Sequence, residues 1–234
     1  AVAAPAAPGD AAPAAGGSPP TVLRRQATLP PEETPAQALA RVKKLIGPGP
    51  RICILGGTSF FLPSSEALVF KLAEELSARV GDRASFVTGG MAGVQRAFAD
   101  RCGEGARLFH LLPFESASGF SKGRDIFAGK DLPERKEVFG LLGDVYVTVE
   151  GGPGVAGEAS AAVARGARVV PLVRSGGASA GGSGFPKQAL ERPAFATEEQ
   201  WELLCSADAP VEDSAVAAAE VVANLVGEFL RPLA

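Results

Sequence analysis

The chain has 234 residues, of which 46% are hydrophobic, and this is enough for one domain with a substantial core. Its 26 acidic and 23 basic residues are interspersed, so the composition lacks the basic surface typical of nucleic-acid binding. A single histidine, His110, and three unevenly spaced cysteines, Cys53, Cys102 and Cys205, exclude histidine triads and paired-cysteine zinc sites. We expect reduced cysteines of an intracellular protein.

Residues 1–34 are dominated by Ala, Pro and Gly and show no apolar periodicity. Such a segment cannot form a core, so we expect an extended tail that serves as a linker or docks on a larger protein assembly. It has no apolar run long enough for a transmembrane segment. Because the chain starts at Ala1, a processed transit peptide of a plastid or mitochondrion is one expectation, with the cytoplasm as the alternative.

From residue 35 onward, strand-like apolar runs alternate with segments of helical periodicity. The predicted strands are 51–55, 84–88, 107–112, 145–149 and 168–173, and the predicted helices are 36–46, 64–79, 92–102, 132–142, 155–165, 197–205 and 214–230. This order predicts one α/β domain over residues 35–234, a Rossmann-like parallel sheet with helices on both faces. The remaining long segments, 113–130 and 175–186, are expected to be lids or binding loops.

Three predicted strands end in glycine-rich turns that lead into helices. Glycines let backbone N–H groups approach an anion, and a helix N-terminus adds about half a positive charge. Because the C-terminal ends of parallel strands share one crevice, we expect the turns to converge on one phosphate-bearing ligand. The alternative is that the glycines only make tight turns. The candidate phosphate-binding residues are Gly56, Gly57, Thr88, Gly89, Gly90, Gly93, Gly151, Gly152, Gly154 and Val155.

Two of these turns resemble the motifs of a known family. Glu134-Arg-Lys-Glu and Gly151-Gly-Pro-Gly-Val-Ala-Gly-Glu158 are similar to the Arg-Lys and Pro-Gly-Gly-x-Gly-Thr-x-x-Glu motifs of the "possible lysine decarboxylase" family. Thr88-Gly-Gly-Met-Ala-Gly-Val resembles its upstream Thr-Gly-Gly-Gly-x-Gly turn. That family includes cytokinin-activating nucleoside 5′-monophosphate phosphoribohydrolases, and the molybdenum cofactor carrier protein is a relative. The resemblance spans roughly residues 50–175.

The resemblance implies a nucleotide-binding domain in which Arg135 and Glu158 are the catalytic pair of an N-glycosidase. Arg135 would clamp the substrate or the carboxylate, and Glu158 would stabilise the positive charge that builds on the ribose as the base departs. The glycines and Lys136 would hold the 5′-phosphate of a purine nucleotide. The resemblance also implies a homodimer. We expect no cofactor and no metal.

Three residues depart from the family motifs: Glu150 replaces a proline, Met91 a glycine, and Val155 a threonine whose hydroxyl would help to bind phosphate. An acid near the phosphate is expected to repel it unless Arg135 or Lys136 compensates. A lost hydroxyl donor costs about 1–3 kcal/mol. Two non-catalytic alternatives therefore stay open: a carrier or sensor of a nucleotide or pterin cofactor, and an accessory subunit of a larger assembly.

A dehydrogenase is a further alternative with weaker support. Residues 152–157 spell Gly-x-Gly-x-x-Gly after a strand, and Arg174 at the end of the next strand would suit the 2′-phosphate of NADP. However, the motif follows the fourth predicted strand, whereas a dinucleotide site uses the first strand of a βαβ unit. His110 lies inside the apolar run 108–112, so we predict a buried structural role for it rather than catalysis.

Overall fold

Six parallel strands form one sheet in the computed structural model, which describes residues 32–232. The strands are β1 (Arg51–Gly56), β2 (Ser85–Thr88), β3 (Arg107–Leu112), β4 (Arg124–Phe127), β5 (Val145–Val149) and β6 (Arg168–Leu172). Their order is β4-β3-β2-β1-β5-β6, and every neighbouring pair is parallel. The chain moves outward from β1 on one side and returns to β5 on the other, so a crevice opens between the ends of β1 and β5.

Helices cover both faces of this sheet. They are α1 (Pro35–Ile46), α2 (Ser65–Val80), α3 (Val94–Arg101), α4 (Leu132–Leu142), α5 (Pro153–Ala164), α6 (Glu198–Cys205) and α7 (Val211–Phe229). Alternate residues of β1 point to opposite faces. Ile52 and Ile54 pack in a core with α2, α3, α6 and α7, whereas Cys53 and Leu55 pack in a second core with α1, α4 and α5. The predicted Rossmann-like α/β fold is confirmed.

Helix α4 begins where the sequence predicts. The Asp131 side chain accepts a hydrogen bond from the Glu134 backbone N–H at 3.0 Å, which satisfies one of the unpaired donors of the first turn. Arg135 lies at the end of that turn. The N-cap therefore fixes the start of α4, and the Arg135 side chain is buried.

The segments expected to be lids have other structures. Strand β4 lies within 113–130, where it pairs with β3 at the edge of the sheet. Its four residues carry too little apolar periodicity for recognition from sequence. Residues 175–186 form short 3₁₀ turns in which Ala178 and Ser179 are buried and 180–184 are exposed. The expectation of an irregular segment is wrong at β4, and a lid or binding role of the other residues in the two segments stays a prediction.

The predicted tail, residues 1–34, lies outside the described residues except for 32–34, so its role stays a prediction. Among residues 32–232, none of the helices has both the length and the apolar character that crossing a membrane requires.

Candidate functional site

A cavity of about 300 Å³ lies at the C-terminal edge of the sheet, where β1 and β5 end. Eight of the predicted site residues line it: Gly56, Gly57, Arg135, Lys136, Gly152, Gly154, Val155 and Glu158. The sequence did not point to the other wall residues Thr58, Ser59, Phe61, Gln95, Leu132 and Pro153 as site residues, and Met91 entered only as a departure from the family motif. The other predicted phosphate-binding residues do not line this cavity: Thr88, Gly89, Gly90, Gly93 and Gly151.

Arg135 and Glu158 form a buried ion pair in the wall. Arg135 Nη1 donates to Glu158 Oε1 at 3.1 Å, and the two residues are 2% and 8% exposed. Arg135 Nη2 also approaches the Gly89 carbonyl oxygen at 3.4 Å. The guanidinium lies 5.3 Å from the centre of the Phe139 ring, which supports it from the α4 side. The two residues, 23 positions apart in sequence, thus form one hydrogen-bonded ion pair.

Burial gives this ion pair unusual proton affinities. It raises the pKa of Glu158 to about 7, although the charges of Arg135 and Lys136 act in the opposite direction. Burial also lowers the pKa of Arg135, and the nearby carboxylate opposes that shift. A carboxyl that titrates near neutrality can take up or release a proton at physiological pH, which general acid or base catalysis requires.

This shift predicts a specific pH dependence of stability. Unfolding returns the pKa of Glu158 from about 7 to its ordinary value of 4.5. Between these two values the folded state binds more protons, so the free energy of unfolding should fall by about 3 kcal/mol as pH rises. We expect urea unfolding at pH 5 and pH 7.5 to show this decrease, and Glu158→Gln to abolish it.

Two comparisons isolate the contribution of Glu158. Burial lowers the pKa of His110, which makes stability rise with pH below about 6.5, so the informative quantity is the difference between wild type and variant. Glu104→Gln, on an exposed turn, serves as a control that should keep the wild-type slope. Parallel pH profiles for wild type and Glu158→Gln would contradict the shift.

The N-terminus of α5 provides one anion cradle in the wall. Gly152 is its N-cap and makes no side-chain capping bond, and Pro153 follows at the first position. The unpaired N–H groups of the first turn and the helix dipole both favour a negative charge here. Lys136 brings a positive charge close to this end of the helix. Its Nζ would lie 3.4 Å from a Cβ placed on Gly154. Phosphate is the natural ligand of such an end.

The upstream turn differs from the expectation that its backbone amides hold phosphate. The N–H groups of Gly89 and Met91 both donate to Gln95 Oε1 at 3.0 Å. The N–H of Gly90 donates to Thr88 Oγ1 at 3.1 Å. These three donors are therefore already satisfied within the protein. The buried Gln95 side chain takes the place that an anion would have.

Close packing explains the glycines of this turn. A Cβ on Gly89 would lie 2.6 Å from Arg135 Nη2, so only glycine leaves room for the guanidinium. Gly93 has φ +68°, and a Cβ there would lie 2.4 Å from the Gly57 carbonyl oxygen. The tight-turn alternative raised from the sequence thus applies to Gly89 and Gly93. Close packing also explains Gly151. Its φ is +91°, and a Cβ there would lie 2.5 Å from the Val155 side chain.

Glu150 does not face the cavity, contrary to the expected repulsion of phosphate. Its side chain is fully buried and accepts hydrogen bonds from the backbone N–H groups of Phe61 at 2.9 Å and Leu62 at 3.0 Å. The residue has φ +53°, which turns the carboxylate away from the first turn of α5. Its backbone carbonyl accepts the N–H of Ser179 at 3.1 Å, and the Gly151 carbonyl accepts the N–H of Ala178 at 2.8 Å. Segment 175–186 therefore braces this turn.

His110 and Arg174 have structural roles. His110 is buried as predicted, with Nδ1 2.8 Å from Thr88 Oγ1 and Nε2 2.8 Å from the Lys122 carbonyl oxygen. Arg174 donates to the backbone carbonyls of Ala207 and Ala209 at 3.2 and 2.7 Å. Its guanidinium is committed to the connection between α6 and α7, so the geometry does not support an NADP 2′-phosphate site there.

Comparison with known proteins supports the fold and leaves the activity open. No family model matches the chain, and no curated protein does. The chain is similar to the molybdenum cofactor carrier protein of Chlamydomonas reinhardtii, with 19% identity, a TM-score of 0.50, and coverage of 75% of this chain and 99% of that one. Another structure of that carrier has 20% identity and a TM-score of 0.48, and the match covers 76% of this chain and 99% of that one. The structural-genomics target TM1055 has 23% identity and a TM-score of 0.47, and the match covers 56% of this chain and 78% of that one. At these identities the likeness shows the Rossmann-like fold alone.

Proposed function

We propose that this protein binds a nucleoside 5′-monophosphate in the cavity and hydrolyses its N-ribosidic bond. The observation that carries the proposal is the buried Arg135–Glu158 pair in the same wall as the N-terminus of α5 and Lys136. One end of the cavity is suited to a phosphate and the adjacent wall carries an acid–base group. A sugar phosphate bound between them would place its anomeric carbon beside the carboxyl.

The phosphate interaction uses the α5 cradle. The free N–H groups of the first turn would donate to phosphate oxygens, and Lys136 would add a charge-assisted hydrogen bond. The motif resemblance assigns the same residues to phosphate. Val155 in the wall offers no hydroxyl, so we expect weaker phosphate binding than the threonine of the family motif would give.

Hydrolysis follows from the ionised form of Glu158. As the bond between ribose C1′ and the base nitrogen breaks, its electron pair leaves with the base and positive charge develops on the sugar ring. The Glu158 carboxylate stabilises this charge and accepts a proton from the water whose oxygen bonds to C1′. The proton accepted by Glu158 passes to the departing base, which regenerates the carboxylate, and the products are ribose 5-phosphate and free base. Arg135 orients the carboxylate throughout.

The test is release of adenine from AMP, measured by chromatography at a series of pH values. We expect the rate to rise with pH through about 7, because the base form of Glu158 is required and burial raises its pKa to about 7. Glu158→Gln keeps the shape of the side chain, so AMP binding measured by calorimetry should persist. Adenine release should fall by about 100-fold or more. Glu104→Gln is the matched control and should leave the rate unchanged.

A carrier or sensor is the second candidate, and Met91 favours it. Met91 lines the cavity at the position where the family turn has glycine. Its side chain would limit how closely a substrate can approach the backbone of this turn. The Chlamydomonas protein that shares the fold is itself named as a molybdenum cofactor carrier. Tight binding of AMP with no adenine release at any pH would favour this candidate over the enzyme.

A further inference from the structure

An exposed aromatic ring stands in the wall of the cavity. Phe61 lies in the turn between β1 and α2, and 64% of its surface is exposed. The preceding residue, Phe60, packs against the core on the α2 side of the sheet. A ring that is exposed in the wall of a cavity offers apolar surface that a ligand of that cavity would bury favourably. The position of Phe61 beside the phosphate cradle makes the ligand of this cavity the natural cover.

The buried carboxylate of Glu150 holds Phe61 in this position. It accepts a bifurcated hydrogen bond from the Phe61 N–H, at 3.1 Å to Oε1 and 2.9 Å to Oε2, and a second hydrogen bond from the Leu62 N–H to Oε1 at 3.0 Å. It forms no ion pair within the described part of the chain. A buried carboxylate without a cation is unfavourable unless its hydrogen bonds are well made. These bonds therefore restrain the turn that carries Phe61.

Glu150 is itself held in place from the opposite side. Its backbone N–H donates to Ser175 Oγ at 2.7 Å, and its carbonyl oxygen accepts the Ser179 hydroxyl at 2.9 Å. Glu150 also lies two positions before Gly152, the N-cap of α5. One rigid turn thus forms the phosphate cradle and restrains the aromatic ring.

We propose that Phe61 is the surface on which the base of the bound nucleotide stacks, and that Glu150 is the positioning residue for Phe61. This rests on the proposed function, since it concerns the ligand of the same cavity. A phenyl ring stacks on any planar base, and the phosphate cradle orients the ligand so that its base lies over the ring. The ring recognises the base, and the cradle recognises the phosphate.

The experiment compares the affinities of AMP and ribose 5-phosphate, of which only AMP carries a base, in the Glu158→Gln background, where AMP is bound without being hydrolysed. We expect Phe61→Ala to weaken AMP binding by about tenfold or more, and to change ribose 5-phosphate binding by less than about twofold. Phe61→Trp should keep or increase AMP affinity. Glu150→Gln should weaken AMP several-fold with little effect on ribose 5-phosphate, because a neutral amide holds the two N–H groups less firmly.

A fluorescence readout separates stacking from general damage. Trp201 in α6 is the only tryptophan of the chain, so the double variant Phe61→Trp/Trp201→Phe reports on position 61 alone. AMP should quench its fluorescence and ribose 5-phosphate should not. Ribose 5-phosphate binding combined with undiminished AMP affinity in Phe61→Ala would overturn the stacking role alone. Failure of both ligands to bind the wild-type protein would overturn the proposed function, and the stacking role with it.

Discussion

Replacing Arg135 by methionine is expected to lower the free energy of unfolding by about 3–5 kcal/mol at pH 8, since it leaves a buried carboxylate without its partner. Glu158 would keep only the distant charge of Lys136 in a site that is 8% exposed. The pKa of Glu158 should rise further in this variant. The destabilisation should therefore be smaller at pH 5, where the carboxyl is protonated in both proteins.

Urea unfolding of four proteins measures this effect. The double variant Arg135→Met/Glu158→Leu removes both charges, and we expect it to recover most of the lost stability. Arg79→Met breaks more exposed ion pairs with Glu75 in α2 and Glu220 in α7, and it should cost at most about 1 kcal/mol. An equal loss for Arg135→Met at pH 5 and pH 8, or no recovery in the double variant, would show that packing rather than charge accounts for the effect.

Gly93→Ala is expected to destabilise the fold by about 3 kcal/mol or more. Alanine at φ +68° and ψ −127°, a sparsely populated backbone region, is strained by about 1–3 kcal/mol. The added methyl would also lie 2.4 Å from the Gly57 carbonyl oxygen and 2.5 Å from the Thr58 carbonyl carbon. Both are backbone atoms, so no side-chain rotation relieves the clash. The turn after β1, which forms one wall of the cavity, would have to move.

Gly157→Ala is the matched control, because it adds the same methyl group in an open position. Gly157 lies within α5, and a Cβ there meets nothing within 4 Å. Alanine is a better helix former than glycine, so we expect stabilisation by about 0.5–1 kcal/mol. Thermal and urea unfolding of both variants measure the difference. Similar stability of Gly93→Ala and wild type would contradict the packing assigned to Gly93.

The fold and part of the site could be predicted from the sequence, because the patterns that encode them lie within short stretches of the chain. Strand and helix alternation follows from the period of apolar residues within short windows, and strand ends with glycine turns mark the edge where ligands bind. The Asp131 cap lies three positions from the N–H it accepts. The pairing of Arg135 with Glu158 came from the motif resemblance, and the structure places Arg135 Nη1 3.1 Å from Glu158 Oε1.

The remaining features depend on contacts between distant positions, which no short window contains. Glu150 and Phe61 are 89 positions apart, and only tertiary structure shows that the carboxylate binds the turn of Phe61 rather than facing the phosphate cradle. Gln95 in α3 accepts the N–H groups of Gly89 and Met91, so the turn after β2 does not offer these amides to a phosphate. The sequence by itself determined five of the six strands and the crevice at their ends, because apolar periodicity encodes them, and its motifs pointed to the Arg135–Glu158 pair. Packing alone decided which amides stay free for a ligand, because a donor is free only when no neighbour in space accepts its hydrogen.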